Sequence, residues 1–173
     1  GFINPPDQTL REYDAGDSDY GARYARAIAL SRLQDTDGAV AIVDELIAAS
    51  PKDPFFYELK GELLVDGGRT QEAIEPYKKA LAILPWAALI KVGLAQIQLS
   101  SESATDLENA RDNLKEALRY EPKLSGAWRF LATAEGRLGN AGGASLALAE
   151  EALLRGNKGS ALSHVKRAMV SLP

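Results

Sequence analysis

The sequence predicts an all-α protein, a right-handed superhelical solenoid of helical hairpins. Two unrelated marker residues recur at the same interval, because Ala39 and Ala73 are 34 residues apart and so are Pro51 and Pro85. A period of this length is typical of one helix–turn–helix unit, which cannot bury its apolar face alone and must stack on its neighbours. The 173 residues, 46% of them hydrophobic, suffice for a buried core of this kind.

The central repeat, residues 54–85, carries a full set of packing residues for two antiparallel helices. Small residues let helix backbones approach closely, and aromatic residues fill the space between hairpins. In chain order these residues are Tyr57, Gly61, Leu64, Ala73, Tyr77, Ala80 and Pro85. They match the pattern of the tetratricopeptide repeat (TPR), although Lys60 stands where leucine is usual. We expect Asp53 and Thr70 to cap the two helices. The sequence therefore predicts a TPR-type helical-hairpin solenoid.

The other repeats keep this register with one insertion. Ala110 and Pro122 both lie 37 residues after their counterparts in the central repeat, which indicates three inserted residues. We place the insertion in the loop at residues 100–104, because Thr105 and Glu108 have the spacing of a capping box that begins the next helix. The hairpins are expected at residues 20–51, 54–85, 88–122 and 125–156, with a last, overlapping hairpin at 142–173.

The last hairpin is predicted to share a helix with the hairpin before it. The marker Ala161 follows Ala144 by only 17 residues, which is half a repeat, and Pro173 closes the unit. The segment 141–155 would then be the second helix of one hairpin and the first helix of the next. With this half-repeat, the array at residues 19–173 is expected to contain about nine helices.

Residues 1–18 differ in composition from the array. They contain Pro5–Pro6 and the beginning of an acidic run from Asp14 to Asp19. Such a segment is typical of an extended connector, here with one short helical turn at residues 8–13. We therefore expect a linker from an upstream domain.

Composition excludes several classes of partner. The formal net charge of −4 offers no basic surface for phosphates or anionic lipids, so we expect neither nucleic acid nor a membrane as partner. No apolar run approaches the roughly 18 residues of a membrane span. Because the chain has no cysteine, it can form neither a disulfide nor a thiolate zinc site. It begins with Gly1 and its only methionine is Met169, so we expect a fragment or a processed form of a longer protein.

No residues form a catalytic or metal-binding constellation, and we expect no enzymatic activity, no metal and no cofactor. The only histidine, His164, is expected to be a solvated residue on a helix surface. Glu150 and Glu151 are interpreted as solubilising carboxylates. The segment 157–160 resembles the end of a phosphate loop, but it lacks the first glycine and a preceding strand, and we interpret it as a turn.

The residues expected to contact a partner lie on the first helices of the hairpins, which line the concave face of a TPR superhelix. By register the groove residues are Tyr24, Ile28, Arg32, Phe55, Glu58, Glu62, Asp66, Leu89, Val92, Gln96, Arg129, Thr133 and Arg137, with Trp86 added from a turn. We expect an aromatic and aliphatic floor, an acidic middle and basic ends that bind a protein or peptide. Several of these residues could instead pack inside the array, which we favour for Phe55 and Trp86.

The acidic middle of the groove comes from one helix. Glu58, Glu62 and Asp66 recur at offsets of four and therefore point the same way. Like charges on one stripe lower helix stability unless a cation neutralises them. Arg32 and Arg129 could supply that cation within the domain, or a basic partner could supply it from outside.

Four strings resemble one family over essentially the whole chain: Gly1–Pro6, Ala22–Ala29, Tyr57–Gly61 and Ala149–Gly156. They are similar to the C-terminal TPR tail of bacterial periplasmic zinc metalloproteases, the HExxH-type peptidases of metallopeptidase family 48. The resemblance implies a tail that follows a catalytic domain, a periplasmic location, and a role in quality control and assembly of outer-membrane proteins. The zinc ligands of the family cannot be assigned here, because the motif needs two histidines and this chain has one.

The leading hypothesis is a non-catalytic protein–protein interaction module of a periplasmic zinc metalloprotease. It would dock on its own protease domain and recruit substrates or outer-membrane assembly proteins. The alternatives are a free-standing TPR adaptor and a structural scaffold that self-associates by end-to-end stacking of terminal hairpins.

Overall fold

The computed structural model describes residues 4–16 and 19–171, and within these ranges the chain forms ten helices and no strand. The chain divides into two compact units, Gly1–Pro85 and Trp86–Pro173. The first unit contains α1 (Pro6–Glu12), α2 (Tyr20–Arg32), α3 (Thr36–Ala49), α4 (Pro54–Asp66) and α5 (Thr70–Ile83). The second contains α6 (Ala88–Leu99), α7 (Ala104–Tyr120), α8 (Ser125–Arg137), α9 (Ala141–Leu154) and α10 (Lys158–Ser171). The predicted helical-hairpin solenoid is confirmed.

In the first unit, α2 pairs with α3, α4 pairs with α5, and α3 packs on α4. Their core contains Ala27, Ala39, Val43, Leu59 and Leu63, all 2% exposed or less. The small residues bring the helices close together, and the branched residues fill the space that remains. Helices α2, α3 and α4 begin with aspartate caps, and Asp53 Oδ1 accepts a 2.9 Å hydrogen bond from Phe55 N.

A glycine sets the distance between α4 and α5. A Cβ atom on Gly61 would lie 2.5 Å from Cε2 of Tyr77, so the tyrosine ring packs directly on the backbone of α4. Tyr77 is 5% exposed. A larger residue at position 61 fits only if the Tyr77 ring or the two helices shift.

In the second unit, α6 pairs with α7, and α9 contacts both α8 and α10. Leu114 and Ala110 of α7 and Ala134 of α8 are fully buried in its core. The helix α9 is continuous from Ala141 to Leu154, as the half-repeat predicted. The closing Pro173 lies outside the described residues.

The three inserted residues lengthen α7. Helix α7 has 17 residues, whereas α3, α5 and α9 each have 14. Ala110 is the seventh residue of its helix, whereas Ala73 is the fourth. The predicted capping box is wrong, because α7 begins at Ala104 and its N-cap residue, Ser103, makes no side-chain cap bond. The predicted cap at Thr70 is also wrong, since Thr70 is the first residue inside α5.

The segment expected to be an extended linker contains helix α1, which packs on α2. Proline at the first helical position fits the start of α1, since its missing N–H has no partner there in any helix. Arg26 of α2 donates hydrogen bonds to the carbonyls of Leu10 and Tyr13, at 3.2 and 2.5 Å. These contacts tie the segment to the array. Of the predicted connector and its acidic run, residues 1–3, 17 and 18 lie outside the described part.

Candidate protein-binding surfaces

The predicted groove residues fall in both units. Tyr24, Ile28 and Arg32 lie on α2, and Phe55, Glu58, Glu62 and Asp66 lie on α4 of the first unit. The second unit holds Trp86, then Leu89, Val92 and Gln96 on α6, and Arg129, Thr133 and Arg137 on α8. The surface of each unit is described separately below.

The first surface is an acidic stripe, defined here as Glu58, Glu62 and Asp66 of α4. Glu58 is half-buried, and Glu62 and Asp66 are exposed. Burial raises the pKa of Glu58, and the charge of Glu62 adds to this. Although Glu62 as a whole residue is exposed, partial desolvation by the surrounding protein raises its pKa, with a further contribution from Asp66. Both glutamates are therefore destabilised in their charged form by their surroundings.

No cation among the described residues forms an ion pair with the acidic stripe. Lys60, which is also on α4, places its Nζ atom 2.6 Å from Asp44 Oδ1. Arg32, one of the two arginines considered as internal counter-charges, makes no ion pair in the described part of the chain. The other, Arg129, places Nη2 2.5 Å from Glu151 Oε1. The stripe thus keeps its negative charge available for an external partner.

Two tyrosines border the acidic stripe. Tyr24 on α2 is 46% exposed, and its pKa is raised by burial and then by the charges of Glu62 and Glu58. Tyr77 on α5 has its pKa raised by burial and then by all three carboxylates of the stripe. Its ring is buried, whereas its hydroxyl oxygen reaches the surface and makes no hydrogen bond among the described residues. The sequence assigned Tyr77 to packing alone and missed this hydroxyl.

A small cavity adjoins Tyr24 where α1 lies against α2. It has a volume of about 240 Å³ and is lined by Pro6, Thr9, Tyr24, Ile28 and Arg32, among others. Three of these residues were predicted as groove residues. The contribution of α1 was missed because residues 1–18 were interpreted as a linker.

The expected packing of Phe55 and Trp86 is wrong, since they are 59% and 60% exposed. The neighbouring Phe56 packs against the core instead and stacks on Tyr20 with ring centroids 6.0 Å apart. Consecutive residues on an α-helix point about 100° apart, so only one of the two phenylalanines can face inward. In the second unit, Trp128 is the partly buried indole, and its Nε1 donates to Pro122 O at 2.9 Å.

The second unit carries a mainly apolar pocket of about 290 Å³ between α6 and the start of α8. It is lined by Leu89, Val92, Leu124, Ala127 and Phe130, with Lys123 also in its wall. Leu89 is 60% exposed. Two of the predicted groove residues, Leu89 and Val92, therefore lie at one concave site.

The polar groove residues of the second unit have several partners within it. Arg137 donates from Nη1 to the carbonyl of Leu99 and from Nη2 to Ser101 O at 2.7 Å, so it holds the loop between α6 and α7. Thr133 Oγ1 donates back to Arg129 O at 3.2 Å. Gln96 is exposed. The predicted basic ends are thus engaged in structural contacts at Arg129 and Arg137.

A third cavity, of about 440 Å³, lies among α3, α4 and α5. Its lining includes Ile47, Leu64 and Pro76 on the apolar side, and Asp44 and Lys60 on the polar side. The sequence had marked Lys60 as a departure from the repeat pattern. Its Nζ atom lies 2.6 Å from Asp44 Oδ1 at the polar side of this cavity.

The described residues contain no cluster of three or more potential metal ligands. His164 was expected to be solvated, and this is wrong, because it is half-buried and its Nδ1 is buried without a hydrogen-bond partner in the described structure. No helix in the described ranges has both the length and the apolar composition needed to cross a bilayer.

Comparison with known proteins supports the repeat assignment. Residues 8–54 and 24–88 match the family model of the tetratricopeptide repeat. Small glutamine-rich tetratricopeptide repeat-containing protein 2 of Mycosarcoma maydis is 38% identical over 90 residues, which are 49% of this chain and 25% of that protein. The chain thus spans about a quarter of the length of this relative.

Solved structures share the fold at low sequence identity. The crystal structure of MamA is 18% identical with a TM-score of 0.68, and the match covers 90% of this chain and 95% of that chain. TTC0263, a thermophilic TPR protein of Thermus thermophilus, is 18% identical with a TM-score of 0.67, and the match covers 95% of this chain and 89% of that chain. The chain is an all-helical TPR-like solenoid whose residues 8–88 match the tetratricopeptide repeat family.

Proposed function

We propose that the chain is a non-catalytic protein-interaction module and, more specifically, the TPR tail of a periplasmic zinc metalloprotease. In this role it docks on the HExxH protease domain and recruits substrates or envelope-assembly partners. The TPR match of residues 8–88 supports the interaction module. The resemblance to metallopeptidase family 48, in strings such as Ala22–Ala29 and Ala149–Gly156, supports the protease and the periplasm.

The acidic stripe is the observation that carries the proposed binding role. Three carboxylates share one face of α4 without a counter-charge in the described chain, and Tyr24 and Phe55 are exposed beside or near them. Unpaired charges next to exposed aromatic rings are typical of a surface that recognises a complementary partner. A basic partner would relieve the repulsion that the isolated chain retains.

The gene provides the first test. An HExxH motif and an export signal encoded upstream of Gly1 would support the protease tail. A start codon immediately before Gly1 would overturn it and leave a free-standing TPR adaptor.

The second test measures binding of the chain to the encoded protease domain at low and at moderate salt. We expect the double variant Glu58→Lys/Glu62→Lys to keep its melting temperature within a few degrees, because neither glutamate forms an ion pair in the described chain and surface charges contribute about 0–1 kcal/mol each. We expect it to bind more weakly and with a smaller salt dependence. The control variant Glu102→Lys/Glu150→Lys makes the same change in net charge at two other exposed positions. Unchanged binding by the stripe variant would place the partner surface elsewhere on the array.

Self-association is the second candidate function, and the exposed apolar residues of α10 favour it. Leu162, Met169 and Val170 are 57%, 75% and 87% exposed. Apolar side chains grouped on a terminal helix are a means of end-to-end stacking. Sedimentation velocity of the wild type and of Leu162→Lys/Met169→Lys tests this function, since a dimer that the variant loses would support it and a monomeric wild type would refute it.

A further inference from the structure

The ring of Tyr77 is buried, and its hydroxyl has no hydrogen-bond partner among the described residues. The ring packs on Gly61, which lies three residues after Glu58 and one residue before Glu62 on α4, and the whole residue is 5% exposed. Among the described residues the hydroxyl neither donates nor accepts a hydrogen bond, and its oxygen is not fully enclosed by the protein. A tyrosine with an apolar body in the core usually pairs its polar end, so this hydroxyl is free to bond a group from outside.

The surroundings of this hydroxyl favour a cation. Glu58, Glu62 and Asp66 all lie close enough to raise the pKa of Tyr77, and none of them forms an ion pair in the described structure. Tyr24 presents an exposed ring beside the same glutamates, and aromatic faces attract ammonium and guanidinium groups. The nearest cation on the same helix, Lys60, is bound to Asp44. A positively charged hydrogen-bond donor would satisfy all of these residues together.

We propose that Tyr77, Glu58 and Glu62 form a pocket that receives a lysine or arginine side chain from an extended segment of a partner protein. The proposal rests on the proposed interaction role and specifies the chemistry of the partner. The cation donates a hydrogen bond to the Tyr77 hydroxyl oxygen and forms ion pairs with the two glutamates. Its positive charge offsets the like-charge repulsion along α4.

The probe is an N-acetylated, C-amidated octapeptide of alternating lysine and alanine, titrated into the full 173-residue chain by NMR. We expect saturable shifts in the amides of α2 and α4. An otherwise identical peptide with glutamate in place of lysine should cause none. Spermidine provides the free-cation arm, and we expect it to bind more weakly than the peptide. Tighter binding of spermidine would overturn a protein segment as the occupant.

Three variants distinguish specific binding in the pocket from non-specific electrostatic attraction of the peptide. Tyr77→Phe removes only the hydroxyl, so we expect it to keep the melting temperature and to weaken peptide binding at least about tenfold, as for the loss of a hydrogen bond to a charged group. Glu62→Gln should weaken binding strongly. Glu75→Gln makes the same change in net charge on α5, where Glu75 already faces Lys78 at 3.4 Å, and should bind almost as the wild type does.

Two results would overturn the pocket: binding by Tyr77→Phe within about twofold of the wild type, or equal losses in Glu62→Gln and Glu75→Gln. The absence of peptide binding by the wild type would also overturn it. The proposed interaction role would survive these results if the protease domain binds the chain. Equally strong binding by the stripe variant would then place the contact surface outside the acidic stripe.

Discussion

Replacing Glu62 by glutamine should stabilise the protein at neutral pH. Glu62 lies four residues from Glu58 on one side and four residues from Asp66 on the other. Each like-charge pair at this spacing costs about 0.2–0.5 kcal/mol, and the substitution removes both pairs. The expected gain in unfolding free energy is therefore roughly 0.4–1 kcal/mol. For a single unfolding transition of a chain this size, this corresponds to a rise in melting temperature of about 1–4 °C.

The gain should depend on pH in a defined direction. Burial and Asp66 raise the pKa of Glu62 in the folded state above its ordinary value of 4.5. Between these two values the folded state binds more protons than the unfolded state, so the stability of the wild type falls as pH rises through this window. The glutamine variant has no carboxyl group at position 62, so it does not lose stability in this way as the pH rises. Its advantage should be full at about pH 7 and should shrink as pH is lowered through the folded-state pKa toward 4.5.

The assay is thermal unfolding followed by circular dichroism at about pH 7 and at several values down to about pH 4, with the difference between variant and wild type as the readout. Glu75→Gln is the matched control, because it deletes a carboxylate that faces Lys78. It should lower the melting temperature slightly or leave it unchanged. The reasoning would be refuted if Glu62→Gln melted at or below the wild type at neutral pH, or if its advantage grew on acidification.

Three other substitutions test the packing and the turns by the same assay. Gly61→Ala should lower the unfolding free energy by about 1–3 kcal/mol, because the new methyl group overlaps the ring of Tyr77, and a variant as stable as the wild type would contradict the close packing. Leu114→Ala should cost about 2–5 kcal/mol, since Leu114 is fully buried, and a loss below about 1 kcal/mol would contradict that burial. Gln34→Gly should stabilise by up to about 1 kcal/mol, because Gln34 has φ 64° in a turn where Gly68 occupies the equivalent place in the next hairpin, and a clear destabilisation would show that the glutamine side chain is needed there.

The helices were predictable because their packing residues recur. Ala39, Ala73, Ala110 and Ala161 are buried and Ala144 is half-buried, so the intervals between these alanines reflect the packing of the helices. The location of the insertion was not predictable in the same way. The capping signal at Thr105 is local, and residues 104–106 can either cap a helix or belong to one. In the structure they extend α7.

The acidic stripe could be predicted from sequence, whereas the partners of the arginines could not. An offset of four on one helix fixes a shared face whatever the tertiary structure. The contacts of Arg129 with Glu151 and of Arg137 with the carbonyl of Leu99 join different elements, and no local spacing encodes them. The Tyr77 hydroxyl was missed for a related reason. The repeat pattern predicts that a large ring packs at this position, but it does not predict the hydrogen-bond partners of the hydroxyl oxygen.

The terminal helices α1 and α10 each have a single neighbour, α2 and α9 respectively, among the described elements. In a linear array, the free energy needed to open an element depends on the number of interfaces it must break, so α1 should open more readily than α2, and α10 more readily than α9. Amide hydrogen exchange would therefore be faster in α1 than in α2 and faster in α10 than in α9. Each of these two helices can thus fray while the helix it packs on stays folded against its other neighbours.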